Sequence, residues 1–144
     1  MGLKRTGSAV WEGAGLDGKG SVTTQSGALQ AQPYSFTTRF VSEDGRAGTN
    51  PEELLGASHA ACFAMALSFR LAGAGKPAER LTVDAVVSME KEGVHWHVSG
   101  IELKLDAVVP GMERAQLEEL ATGAKETCPI SQALASVPIT LTIA

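Results

Sequence analysis

The chain has 144 residues, 44% hydrophobic and 19% charged, which excludes a disordered polypeptide and predicts one globular domain over residues 1–144. Twelve basic against sixteen acidic side chains give a net charge of −4 with no Lys/Arg cluster, which argues against nucleic-acid or anionic-membrane partners, whose phosphates need a basic surface. A chain of this size can bury about two-thirds of its unfolded surface, so it needs neither a disulfide nor a zinc staple to form a core.

Behind Lys4 and Arg5 the N-terminal residues carry no apolar stretch. That predicts no signal peptide and a cytoplasmic protein whose two cysteines, Cys62 and Cys128, are not a permanent structural disulfide. In chain order, residues 3–13 and 18–32 are expected as strands, separated by the turn residues Gly13-Ala14-Gly15-Leu16-Asp17-Gly18. Val22, Thr23 and Thr24 give the second its β-branched character, and Ser26-Gly27 offers a turn into a further short strand. Tyr34, Phe36 and Phe40 suggest an extended segment within residues 32–48, closed by a loop at Glu43–Gly48.

The sharpest boundary follows. Asn50 as N-cap, Pro51 at the first helical position and Glu53 three after the cap predict a helix start. From there to about residue 74, Leu54, Phe63, Met65, Leu67, Phe69 and Leu71 leave almost no polar face, the pattern of a helix buried all round. It is long enough to span a membrane, but its Ala-rich composition with Glu52, Glu53, His59 and Arg70 argues against that. Residues 80–91 and 94–109 alternate as two strands about a hairpin turn at Glu92-Gly93. Residues 113–127 form an amphipathic helix, Cys128-Pro129 opens a short helix over 129–135, and 137–143 is a last strand. The class is α+β with mostly antiparallel pairing.

Several residue types here can do chemistry. Cys62, inside the apolar helix, reads most simply as a small core hydrophobe. Cys128 occupies a cap position, where helix amides favour a thiolate. The pair says more than either cysteine alone, although spacing does not establish that they meet. His95 and His97 share one face of a strand, and His59 and Cys62 stand three apart on a helix. Neither set has a third ligand nearby, so no metal and no cofactor are expected. Glu52 and Glu53 are accounted for as first-turn acids, and Arg39 as a surface cation whose stem covers Tyr34, Phe36 and Phe40. Gly-rich phosphate loops, GxSxG elbows and HExxH motifs are absent.

At the level of motifs, Trp11-Glu12-Gly13, Gly18-Lys19-Gly20, Gln32-Pro33-Tyr34-Ser35-Phe36-Thr37-Thr38-Arg39-Phe40, Gly48-Thr49-Asn50-Pro51-Glu52-Glu53-Leu54-Leu55-Gly56-Ala57, His59-Ala60-Ala61-Cys62-Phe63 and Cys128-Pro129-Ile130-Ser131-Gln132-Ala133-Leu134 closely resemble the osmotically inducible protein C (OsmC) family. That mostly bacterial family includes the organic hydroperoxide resistance (Ohr) proteins. The resemblance runs over essentially the whole chain, and the surroundings of Arg39 resemble the OsmC branch. It implies an OsmC-like α+β fold, with antiparallel sheets, a long buried central helix, a second helix and an intertwined homodimer. It implies a peroxiredoxin-like, thiol-dependent peroxidase of oxidative- and osmotic-stress defence that reduces organic hydroperoxides and hydrogen peroxide. Cys62 falls on the peroxidatic cysteine, Cys128 on the resolving cysteine, and Arg39 and Glu52 on the assisting arginine and glutamate. An external dithiol, such as a lipoyl-bearing protein, would regenerate the enzyme.

These residue types suit the chemistry. Only a thiolate attacks the O–O bond, and an ordinary cysteine is a few per cent thiolate at neutral pH. Arg39 would stabilise that thiolate and the charge developing on oxygen, held by bidentate pairing to Glu52. The resulting Cys62 sulfenic acid would condense with Cys128. Apolar Tyr34, Phe63, Met65 and Phe69 suit an alkyl tail. Two other readings stand beside this one: a non-enzymatic redox-sensing or ligand-binding module on the same fold, and a structural dimer with inert cysteines. On one continuous helix Glu52 and Cys62 would be about 15 Å apart along the axis and about 80° apart around it. One site using both is therefore expected to draw Glu52, and Arg39 with it, from one chain and Cys62 from its partner.

Overall fold

Gly20 sits between Trp11 and Tyr34 in the register of three neighbouring strands. A side chain there would come within 2.5 Å of the Tyr34 ring and 2.6 Å of Trp11. Its absence lets the two rings close over the central strand, their centroids 5.4 Å apart. The strands are β1 (Gly7–Glu12), β2 (Lys19–Thr24) and β3 (Gln32–Tyr34), an antiparallel sheet in the order β1-β2-β3. They belong to the first of two compact units, Met1–Leu54 and Leu55–Ala144, in a computed structural model that describes residues 1–144.

The strands are shorter than the sequence suggested, and β1 is exposed along its whole length. The extended segment expected around Phe36 and Phe40 is instead a one-turn π-helix at Thr37–Val41, closed by Ser42 N–H donating to the Thr37 carbonyl at 2.9 Å. Local side chains explain the difference. The backbone N–H of Ser35 donates to Thr38 Oγ1 and that of Thr38 to Ser35 Oγ, at 2.9 and 3.2 Å. This reciprocal cap starts a helical turn where hydrophobicity alone reads as strand.

The second unit carries the hydrophobic core. Most of α1 (Pro51–Gly73), an unbroken 23-residue helix, lies in it. Then follow β4 (Arg80–Glu92), β5 (His95–Val108), α2 (Arg114–Thr127), α3 (Pro129–Ala133) and β6 (Ile139–Ile143). Asn50 Oδ1 accepts from the Glu53 N–H at 2.8 Å, as the cap motif predicts. The Glu53 carboxylate turns to Thr49 Oγ1 rather than completing the box. β4 and β5 form the expected antiparallel hairpin, while β6 lies parallel to β5. That parallel pairing departs from the antiparallel sheets expected, and it follows from the crossover through α2 and α3. The sheet order is β4-β5-β6.

α1 buries a stripe of Gly56, His59, Phe63, Leu67 and Leu71. It approaches β4 closely at Gly56, where a Cβ would lie 3.1 Å from the Ala85 carbonyl oxygen. α2 buries Leu117, Ala121 and Ala124, a spacing that continues onto buried Cys128. Contrary to the all-round burial expected, α1 leaves Ala57, Ala61, Met65 and Phe69 open along one face, with Met65 64% and Phe69 72% exposed. By length and hydropathy this helix meets the measure of a membrane span, yet its buried stripe packs into the core shared with β5 and α2.

Candidate active site

The four residues singled out in the sequence occur as two pairs. In the first unit, the π-helical turn presents Arg39 to Glu52 in the opening turn of α1. Arg39 Nη2 donates to Glu52 Oε1 at 2.6 Å, and Nε donates to Oε1 and Oε2 at 3.1 and 3.3 Å. This forked grip fixes the plane of the guanidinium. The carboxylate is well shielded and the arginine about one-third exposed. The guanidinium carbon also stands 4.8 Å from the centroid of the Phe40 ring. Beside it Trp11, Gly15, Tyr34, Ser35, Phe36 and Phe40 line a pocket of about 260 Å³, so a cation and an apolar wall face one cavity. Tyr34 is one of the residues that line this pocket. Phe63 is fully buried in the other unit and unavailable to a ligand.

In the second unit, Cys62 is half-buried on α1 and packs against the core that contains Cys128, and both thiols are free. Burial pushes the Cys62 thiol above its ordinary value; a hydrogen bond with the Ile130 backbone lowers it, and the neighbouring Cys128 thiol raises it. None of these influences is cationic.

Cys128 joins two helices because of the proline after it. Pro129 disfavours helical geometry in the residue before it, and Cys128 is extended at φ −63°, ψ 136°. It thereby ends α2, its N–H donating to the Ala124 carbonyl, and caps α3. Its sulfur accepts from the Ser131 N–H at 3.3 Å and its S–H donates to Ser131 Oγ at 3.1 Å. The Ser131 N–H is a helix amide of the kind expected at this cap position, and α3 itself has only five residues.

Two further residues join this pair. Ser131 Oγ lies 2.7 Å from His59 Nε2, and these are the two buried polar residues of the chain. Sequence reasoning considered His59 only as a metal ligand and passed over Ser131. The signal was present: a histidine on a helix otherwise apolar, and a serine three residues after a capping cysteine. His95 and His97 are exposed at the start of β5, and no three His, Cys, Asp or Glu side chains converge on a common point.

This arrangement, free paired thiols in one unit and a clamped arginine in the other, sits on a chain whose residues 42–143 match the family described as OsmC-like protein. The chain belongs to the OsmC-like family. It is 45% identical over 134 residues to peroxiredoxin OsmC of Escherichia coli (strain K12), covering 93% of this chain and 92% of that one. It is 34% identical to the organic hydroperoxide resistance protein of Xanthomonas axonopodis pv. citri, covering 75% of each. Among solved structures, the organic hydroperoxide resistance protein OhrB of Bacillus subtilis superposes with a TM-score of 0.74 at 25% identity, over 96% of this chain and 98% of that one. An OsmC-like protein from Vibrio cholerae reaches 0.77 at 18% identity and speaks for the fold alone. The α+β architecture is thus the OsmC/Ohr fold.

Proposed function

We propose that the chain is a thiol peroxidase that reduces organic hydroperoxides and hydrogen peroxide, and that its 144 residues act as one domain. The observation carrying this is the convergence of two free thiols, one half-buried and one fully buried, in a single core. The names of the relatives, a peroxiredoxin and a hydroperoxide resistance protein, support the same chemistry. Cys62 as thiolate attacks the terminal peroxide oxygen, releasing the alcohol and becoming a sulfenic acid. Cys128 condenses with it to a disulfide and water. Arg39, held by Glu52, stabilises the thiolate and the leaving oxygen. An external dithiol, such as a lipoyl group on a protein, reopens the disulfide. A cytoplasmic setting keeps both thiols reduced between turnovers.

The site is completed across a two-fold homodimer. Glu52 and Cys62 lie ten residues apart on the unbroken helix α1, about 15 Å along its axis, too far for a Glu side chain to hold an arginine at the sulfur of its own chain. Cys62, raised by burial, has no cation acting on it within its own unit, and a partner's Arg39 supplies one. The open Met65 and Phe69 on α1 and the uncovered Val10 and Leu16 are apolar surface that a second copy would cover.

The deciding experiment supplies the purified protein with an organic hydroperoxide and a dithiol. Sustained, dithiol-dependent peroxide consumption is expected. One stoichiometric oxidation to a disulfide, with no turnover on any dithiol, would instead make the chain a redox sensor.

A further inference from the structure

His59 is completely buried among apolar side chains, and its Nδ1 has no hydrogen-bond partner. An orphaned polar atom in a core has a cost, so a histidine kept there calls for a purpose. Its other nitrogen, Nε2, stands 2.7 Å from Ser131 Oγ, and that oxygen accepts from the Cys128 thiol at 3.1 Å. The three side chains come from α1, from the start of α3 and from the cap between α2 and α3, and they form one unbroken hydrogen-bonded line. With the thiol donating to Oγ, the serine hydroxyl is free to donate to Nε2, and in the tautomer that carries its proton on Nδ1 every bond points from sulfur to imidazole. The core positions of β4, β5, β6 and α2 around it are apolar. The titratable groups of this core are thus the imidazole and the Cys62 and Cys128 thiols. Burial disfavours the imidazolium, so the resting ring is neutral with one nitrogen lone pair, and any proton it takes is held only briefly before it is passed on.

We propose that Ser131 and His59 are a buried proton relay for Cys128, which turns the resolving thiol into a thiolate as it attacks the Cys62 sulfenic acid. This rests on the thiol-peroxidase reading above. The Cys128 proton passes to Ser131 Oγ while the serine's own proton moves to His59 Nε2. The freed sulfur lone pair forms the S–S bond, and the Cys62 S–O bond breaks with its electrons leaving on hydroxide. The proton lent to His59 finally protonates that hydroxide, so the net products are disulfide and one water. Cys128 sulfur is oxidised and Cys62 sulfur reduced. Ser131 touches the reacting sulfur, whereas His59 acts through it as a positioning residue.

The test separates the two half-reactions in Ser131→Ala and His59→Gln, each reduced and mixed with one equivalent of an alkyl hydroperoxide. Sulfenic acid formation at Cys62 is expected at the wild-type rate. Its conversion to the disulfide is expected to slow about 100-fold at neutral pH and to recover as pH rises and solvent ionises the thiol. Conversion at the wild-type rate overturns the relay. Slowing by the same factor at every pH also overturns it, since that is the mark of lost packing alone. A second arm needs no peroxide. In a Cys62→Ser background the alkylation of Cys128 by iodoacetamide is followed at neutral pH, and adding Ser131→Ala is expected to slow it about tenfold. An unchanged rate refutes the relay. If the wild-type protein consumes no peroxide, the peroxidase reading falls while this alkylation still judges the relay.

Discussion

Arg39 is gripped by Glu52 through three hydrogen bonds, the shortest 2.6 Å from Nη2 to Oε1. A lysine in its place keeps the charge but loses the fork that fixes its direction. Arg39→Lys is therefore expected to slow the reaction of Cys62 with an organic hydroperoxide by about 100-fold at neutral pH, the scale of one transition-state donor removed. Glu52→Gln, which keeps a hydrogen-bonding oxygen, should cost about tenfold in the same assay. Stopped-flow thiol oxidation measures both. Wild-type rates in Arg39→Lys would mean that the arginine has no part in the chemistry.

The two thiols have separable roles. Cys62→Ser should retain the fold and lose turnover. Cys128→Ser should consume one peroxide per chain and then stall with Cys62 as a sulfenic acid, each further peroxide over-oxidising it by one step to sulfinic and then sulfonic acid. Mass spectrometry of the oxidised chain checks this. Multi-turnover activity in Cys62→Ser would reverse the assignment.

Two buried titrations bound the pH range of stability from opposite sides. His59 has its pKa lowered by burial from an ordinary 6.5. Below that pH the unfolded chain takes up a proton that the native chain refuses, so stability falls on acidification. Cys62 is raised by burial from an ordinary 9.0. In a single chain, with no partner's Arg39 at the sulfur, the unfolded state above that pH releases a proton that the native state keeps, so stability falls again. Urea unfolding of the chain kept monomeric by Phe69→Glu should show both slopes as pH is varied, with His59→Gln flattening the acid one and Cys62→Ser the alkaline one. A variant whose slope matches the wild type would remove that residue as the cause.

Gly56 marks a close approach of α1 to β4, and its Cβ would stand 3.1 Å from the Ala85 carbonyl oxygen and 3.4 Å from Val87 Cγ2. In Gly56→Ala the gain in helix propensity, about 1 kcal/mol, works against this crowding, so the change should be small. Gly56→Val adds two methyls with nowhere to go and should destabilise by roughly 1–3 kcal/mol. Thermal unfolding of the two variants gives the comparison.

Much of this was legible in the residues. The Asn50-Pro51 start of α1, the alternation of β4 and the amphipathic face of α2 each rest on a local pattern, and the structure has them. The π-helical turn was not legible, because Tyr34, Phe36 and Phe40 read as strand by hydrophobicity. The turn is made by polar exchange between Ser35 and Thr38. The parallel seat of β6 is set by a crossover that no local pattern encodes. At the site, Cys62, Cys128, Arg39 and Glu52 stood out through family motifs, and the bidentate pairing expected of Arg39 with Glu52 is the one found. Ser131 was invisible as a functional residue because its importance lies in a partner 72 positions away.

The last prediction concerns the second copy. α1 runs without a break from Pro51 to Gly73, so no bend shortens the distance from Glu52 to Cys62. The open face of α1, with Ala57, Ala61, Met65 and Phe69 at four-residue intervals, is the stripe on which a second helix can pack. Two such helices, antiparallel about a two-fold axis near Ala57, midway between Glu52 and Cys62, bring the start of each toward the middle of the other. Glu52 with its bound Arg39 then meets the partner's thiol. Cys62→Ser and Glu52→Ala, each deficient alone, should therefore complement when their chains are exchanged. A mixed dimer then combines the intact Cys62 of one chain with the intact Glu52 of the other in one working site, while its second site carries both lesions. Activity should rise toward half the wild-type value per heterodimer, and a Phe69→Glu change in both chains should abolish both the dimer and the recovery. If light scattering and native mass spectrometry verify the mixed dimers and activity stays at the level of the separate variants, the shared site is wrong.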